Sequence, residues 1–174
     1  MSGRSLLATE PALVPELLVA DTPRSLEFWC GLCGFEIAYD RPEEGFAYLV
    51  RDGAHVMLEQ QGVGRNWVTG ELARPLGRGV NFQIAVDDLA PILEALRAAG
   101  VELFMEPETK WYRVGGTERA GTGEPGAEEA GTEEVGTEEA GIQEAGTEQF
   151  LVTDPDGYLI RFQRSLGRRT VKAS

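Results

Sequence analysis

Residues 13–34 read LVPELLVA-D-TPRSLEFWCGLCG, and residues 80–100 read VNFQIAV-D-DLAPILEALRAAG. Each stretch opens with an aliphatic run suited to a strand, passes through an Asp, and continues into a helical segment that stops at Gly. Asp21 to Gly34 and Asp87 to Gly100 both span 13 residues. Asp favours the cap of a helix, Pro its first turn and Gly the residue after its last turn, so Asp21 and Asp87 are expected to open the two helices. Leu89, Ile92, Leu93 and Leu96 recur at helical spacing. The same βα unit therefore occurs twice.

Three strands follow each helix. After the first they are expected at residues 35–41, 46–51 and 55–60, separated by RPEEG and by Asp52-Gly53, both turn signals. After the second they are expected at residues 101–107, 150–154 and 158–163, the last two joined by the tight turn DPDG, residues 154–157. The order βαβββ, repeated, defines an α+β fold of mostly antiparallel strands. Module one covers residues 11–62 and module two residues 79–165 of a single 174-residue domain.

The second module is longer because of an insert. Gly116, Gly121, Gly126, Gly131, Gly136, Gly141 and Gly146 mark a period of five, filled by units such as TEEVG and TEEAG. Regular glycine opposes helix, and dense Glu without aromatics cannot bury a core. Residues 116–146 are expected to be a solvated low-complexity loop outside the fold. They hold nine Glu and one Arg, a net −8 of the chain's −13, so the body carries only −5. That mild acidity offers no basic face for nucleic acid. No apolar run reaches the roughly 18–20 residues of a membrane span. The first ten residues carry one Arg and no apolar stretch, unlike a secretion signal, and the chain is read as cytoplasmic.

Three stretches, LEFWCGLCGFEI (residues 26–37), FAYLVRDGAHVML (residues 46–58) and EQFLVTDPDGYLIRF (residues 148–162), resemble the vicinal-oxygen-chelate superfamily. Its members include glyoxalase I, extradiol dioxygenases, fosfomycin-resistance transferases and bleomycin-resistance proteins, and the likeness is greatest to the last. The resemblance implies that each module curls into half a barrel, that the concave faces form a cleft, and that the protein is a homodimer.

Metal-dependent members place His, Glu or Gln on inward positions of the first and last strands of each module. The matching positions here hold Val14, Asn81, Glu59 with Met57 beside it, and Arg161. A Val, an Asn and an Arg with one Glu do not make a divalent site, and the guanidinium repels a cation. The single histidine, His55, shares strand parity with Met57 and Glu59. The resemblance therefore implies a binding protein without metal or other cofactor. It would sequester a small, planar or cationic drug or antibiotic without turnover. The alternative is a metal-dependent lyase, transferase or dioxygenase whose ligands lie elsewhere.

The expected ligand contacts are Trp111 and Tyr112 as one wall, Trp67 at the mouth, and Asn81, Glu59 and Arg161 as a polar floor. Aromatic rings offer stacking area to planar and cationic ligands. A Glu59–Arg161 pair across the sheet is the plainer reading of that floor. Trp29 belongs to the core face of its helix. WCGLC, residues 29–33, imitates a redox motif, but it falls at the C-terminal end of the helix, where the dipole disfavours a thiolate.

Overall fold

The computed structural model describes residues 11–114 and 142–171. Strand β1 (Glu16–Val19) leads into helix α1 (Thr22–Leu26), which continues as a π-helical turn over Glu27–Leu32. Strands β2 (Glu36–Arg41), β3 (Phe46–Arg51) and β4 (Ala54–Gln60) complete module one. Module two repeats the order as β5 (Asn81–Ala85), α2 (Ala90–Ala98), β6 (Leu103–Arg113), β7 (Ile142–Thr153) and β8 (Leu159–Val171). The sheets run β1-β4-β3-β2 and β5-β8-β7-β6. In each the first strand lies parallel to the fourth and the other pairs are antiparallel. This is the α+β fold of two βαβββ modules, without a closed barrel.

The caps explain the helix positions. Asp21 caps α1, its carboxylate accepting the Arg24 N–H at 2.8 Å. At α2 the N-cap position falls on Leu89, which makes no side-chain cap bond, and Asp88 just before it accepts the Ala90 N–H at 3.0 Å, so Asp87 is not the cap expected of it. The chain is still tied to the sheet at Val86, whose N–H reaches the Gln163 carbonyl, and the helix opens later for that reason. Gly34 and Gly100 both take φ +70° as the chain leaves each helix.

One apolar core serves both modules. Trp29, Phe150 and Phe162 are its largest fully buried side chains, joined by Leu49, Leu58, Ile92 and Leu96. Each such side chain contributes roughly 1.5–3 kcal/mol on burial. A polar latch at the DPDG turn crosses between the modules. Asp154 accepts the Trp29 indole N–H at 3.4 Å, and Asp156 accepts the Ala20 N–H at 3.2 Å and Arg74 at 2.5 Å. Gly157 makes the turn possible twice over. Its φ is +94°, and a Cβ there would stand 2.5 Å from that of Pro75.

Module two departs from expectation in its strand lengths. β6, β7 and β8 run on past the core as a three-stranded ribbon. β7 starts at Ile142, so the last five residues of the expected insert are strand, while its residues up to 141 lie outside the described part. Cross-strand pairs hold the ribbon: Glu144 with Arg169 at 2.8 Å and Glu148 with Arg164 at 2.6 Å. The Trp111 ring lies flat against Gly146, close enough that a Cβ there would sit 2.7 Å from it, and the Arg169 guanidinium covers the ring at 3.9 Å. Composition hid this, because IQEAGTEQ reads as low complexity until its partner strand RSLGRRTV supplies the opposite charges.

Candidate functional site

Strand alternation gives each sheet a helix-facing side and a free side. On the first sheet the side away from the helix carries two rows, Glu16, Met57, Tyr48 and Tyr39, then Leu18, Glu59, Phe46 and Arg41, of which Leu18, Phe46 and Tyr48 are buried. Tyr39 and Tyr48 stack with centroids 5.0 Å apart, and Arg41 caps the Phe46 ring at 3.9 Å. The Tyr48 hydroxyl lies 3.1 Å from His55 Nδ1. Partial burial holds the Glu16 carboxyl above the usual carboxylate range. A hydrogen bond to Glu59 and the charge of Glu59 push the same way, against a smaller pull from Arg41.

On the second sheet the free side carries three rows. Asn81, Leu159 and Thr153 form one, Gln83, Arg161, Leu151 and Met105 the next, and Ala85, Gln163, Gln149 and Glu108 the last. Arg161 donates from Nη2 to Gln83 Oε1, while its Nε is buried without a partner. Gln149 is 4% exposed and donates to Glu108 at 3.0 Å and to the Tyr112 hydroxyl at 3.3 Å. Its Oε1 is also buried without a donor.

A cavity of about 340 Å³ opens where β4 passes β5. Pro15, Trp29, Phe35, His55, Asn81 and Gln83 are among its walls. It thus meets the free side of the first sheet at His55 and that of the second at Asn81 and Gln83.

The structure sorts the sequence-derived candidates. Asn81, Arg161 and Tyr112 share the free side of the second sheet. Glu59 stands on the first sheet beside Glu16, and no ion pair joins it to Arg161. Trp111 and Tyr112 do not form one wall. As neighbours on β6 they point to opposite faces, Tyr112 toward Gln149 and Trp111 toward Gly146 and Arg169. Trp67 is 71% exposed in the loop between the modules, with Arg65 at 4.8 Å from its ring. Residues the sequence reading passed over are Gln83, Gln149, Tyr39 and Tyr48. The period-2 placement of Phe46, Tyr48 and Val50 in FAYLVR was the available signal, masked because Ala47, Leu49 and their neighbours are apolar too.

A divalent ion is implied by some relatives of the fold, and the donor set does not fit one. Among the described residues no three of His, Cys, Asp and Glu converge on a point. The thiols are no substitute: burial pushes Cys30 and, much further, Cys33 upward, which leaves them protonated. Among the described residues no helix is long and apolar enough to cross a membrane.

The paired βαβββ sheets, each with its helix on one side and a polar free side, define a glyoxalase-type fold. A profile of the Glyoxalase/Bleomycin resistance protein/Dioxygenase superfamily matches residues 12–117, and the chain belongs to that superfamily. A glyoxalase/bleomycin resistance protein/dioxygenase superfamily member from Vibrio splendidus 12B01 is 33% identical, over 87% of this chain and 95% of its own, with a TM-score of 0.34. TioX from Micromonospora sp. ML1 is 20% identical over 90% and 100% of the two chains, with a TM-score of 0.56. An integron cassette protein from the mobile metagenome of V. Cholerae is 18% identical over 91% and 97%, with a TM-score of 0.55. The last two likenesses show the fold alone. No curated protein matches the sequence significantly.

Proposed function

We propose that the protein binds a small organic molecule and sequesters it without turnover, in the manner implied by its likeness to bleomycin-resistance proteins. The observation that carries this reading is the cavity of about 340 Å³ between β4 and β5. Its size falls in the roughly 300–1,000 Å³ range of ligand pockets, and its walls mix aromatic and aliphatic side chains with a few polar groups, as such pockets do. His55, Asn81 and Gln83 supply the polar groups. The exposed Tyr39 ring, with Glu16 and Glu59 on the same face, suits a planar or cationic part of the ligand. Asn81, Arg161 and Tyr112 line the facing polar floor in this reading. Trp111 serves the ribbon, and Trp67 is a surface ring near the loop that joins the modules.

A homodimer completes the proposal. Superfamily members bind small molecules and often form dimers, and the edge strands β2 and β6 leave backbone groups that a second chain can cover. A thermal-shift screen of planar, cationic and anionic compounds tests the binding claim. A ligand that binds only the native state raises its apparent melting temperature. A diverse screen with no stabilising compound would speak for a purely structural role.

A further inference from the structure

Arg161 has no counter-ion among the described residues. Among the described residues no carboxylate oxygen lies within 4.0 Å of its guanidinium, although seven other cationic side chains have such a partner. Its one hydrogen-bond partner is the neutral carboxamide of Gln83, and its Nε is buried with nothing to donate to. Its row and the next along β5 and β8 are uncharged: Gln83, Leu151, Asn81 and Leu159. Glu108, in the third row, is engaged by Gln149 and by Lys110 at 3.6 Å. A buried, unpaired donor on a charged group is costly, and proteins retain such a group where something else satisfies it.

The second orphan lies diagonally across the same face. Gln149 is 4% exposed, and both amide protons are committed to Glu108 and Tyr112, which fixes the amide orientation. Its Oε1 is left as an acceptor without a donor. Gln149 pairs with Gln163 and Arg161 with Leu151, so the two orphans sit one step apart on neighbouring strands, roughly 7–8 Å between backbones. Gln83 joins Arg161 to the cavity wall.

We propose that this face is an oxyanion subsite. Arg161 takes a carboxylate or phosphonate oxygen pair of the ligand, and Gln149 Oε1 accepts an N–H or O–H of the same molecule. The planar fork of arginine matches both oxyanions, which lysine meets only as a point charge. The inference rests on the small-molecule reading above and adds the chemical class of one end of the ligand. The face around Glu16, Glu59 and Tyr39 then addresses a different part of it. No bond is made or broken.

The test uses the full chain, isotopically labelled, with the Arg161 Nε–H and Gln149 side-chain amide resonances followed by NMR. Benzoate and phenylphosphonate are the oxyanion probes, benzamide the neutral control, and benzylamine the cationic probe of the parent reading. Fragments of this size bind in the millimolar range. The expected result is a saturable shift of both resonances with one or both oxyanions and none with benzamide. Saturation by benzoate alone assigns a carboxylate, and by phenylphosphonate alone a phosphoryl group. Arg161→Gln weakens the effect by about tenfold or more, Arg161→Lys by less, and the melting temperature shows that both variants fold. Unchanged Arg161 and Gln149 resonances up to tens of millimolar probe, or equal binding by Arg161→Gln, overturn the subsite. If benzylamine or benzamide still shifts His55 and Asn81, the small-molecule reading stands while the oxyanion falls. If no probe shifts anything, both fall.

Discussion

Single side chains set the electrostatic character of the free faces. Glu16 holds its proton more tightly in the folded chain than in the unfolded one, because its carboxyl is partly buried and hydrogen-bonded to Glu59. The stability this contributes is full below the ordinary carboxylate value and is lost as pH rises through the raised one. Glu16→Gln imitates the protonated form and removes that loss. It should therefore melt higher than wild type at about pH 7 and converge with it at about pH 4. Asp156 acts as a latch. It is 3% exposed and receives Ala20 N–H, Ser25 and Arg74, all from segments before module two. Asp156→Ala strands those donors and should cost about 2–3 kcal/mol in denaturant unfolding, at the scale of a buried hydrogen-bonded charge. A loss below about 0.5 kcal/mol would mean the latch is incidental.

Elements carry the difference between what the sequence displayed and what it concealed. The two βα units were legible because Asp21, Gly34, Asp87 and Gly100 bracket them at equal spacing, and Asp52-Gly53 and DPDG name the hairpin turns. The ribbon was not legible. Its register pairs Glu144 and Glu148 with Arg169 and Arg164 along the β7-β8 ladder, on strands separated by the turn at 154–157, and no local pattern reports that. The site shows the same division. Asn81 and Arg161 were reached through the positions that relatives use for metal ligands, and the β5-β8 register puts them on one face. Gln83 and Gln149 carry no motif, and only the β5-β8-β7 register brings them to Arg161. Adjacency misled at Trp111 and Tyr112, since neighbours on a strand face opposite ways. Trp111→Ala should therefore accelerate amide exchange in Ile142–Gly146 and leave affinity for a bound ligand unchanged. A ten-fold weaker affinity with an unaltered ribbon would return Trp111 to the site. Replacing residues 116–141 with a short Gly/Ser turn should hardly change the melting temperature, because loop closure costs only about 0.6 kcal/mol per doubling of length. Extending the deletion to Gly146 removes the start of β7 and should lower it measurably.

At the scale of the whole molecule, two half-structures share one core and present two unlike free faces, one aromatic and acidic, the other built from carboxamides and an unpaired arginine. They meet at the cavity between β4 and β5. His55, Asn81 and Gln83 stand in its wall, and Gln83 accepts a hydrogen bond from Arg161 behind it. Solution mass at micromolar concentration should correspond to two chains; a monomer under those conditions would remove the dimer from the proposal. The most direct measurement is the thermal shift of the full chain with a panel of planar, cationic and anionic compounds, each with and without EDTA. At least one compound should raise the melting temperature, and EDTA should change neither the rise nor the baseline. A rise abolished by the chelator would contradict the proposal and point to metal-dependent chemistry in the same fold.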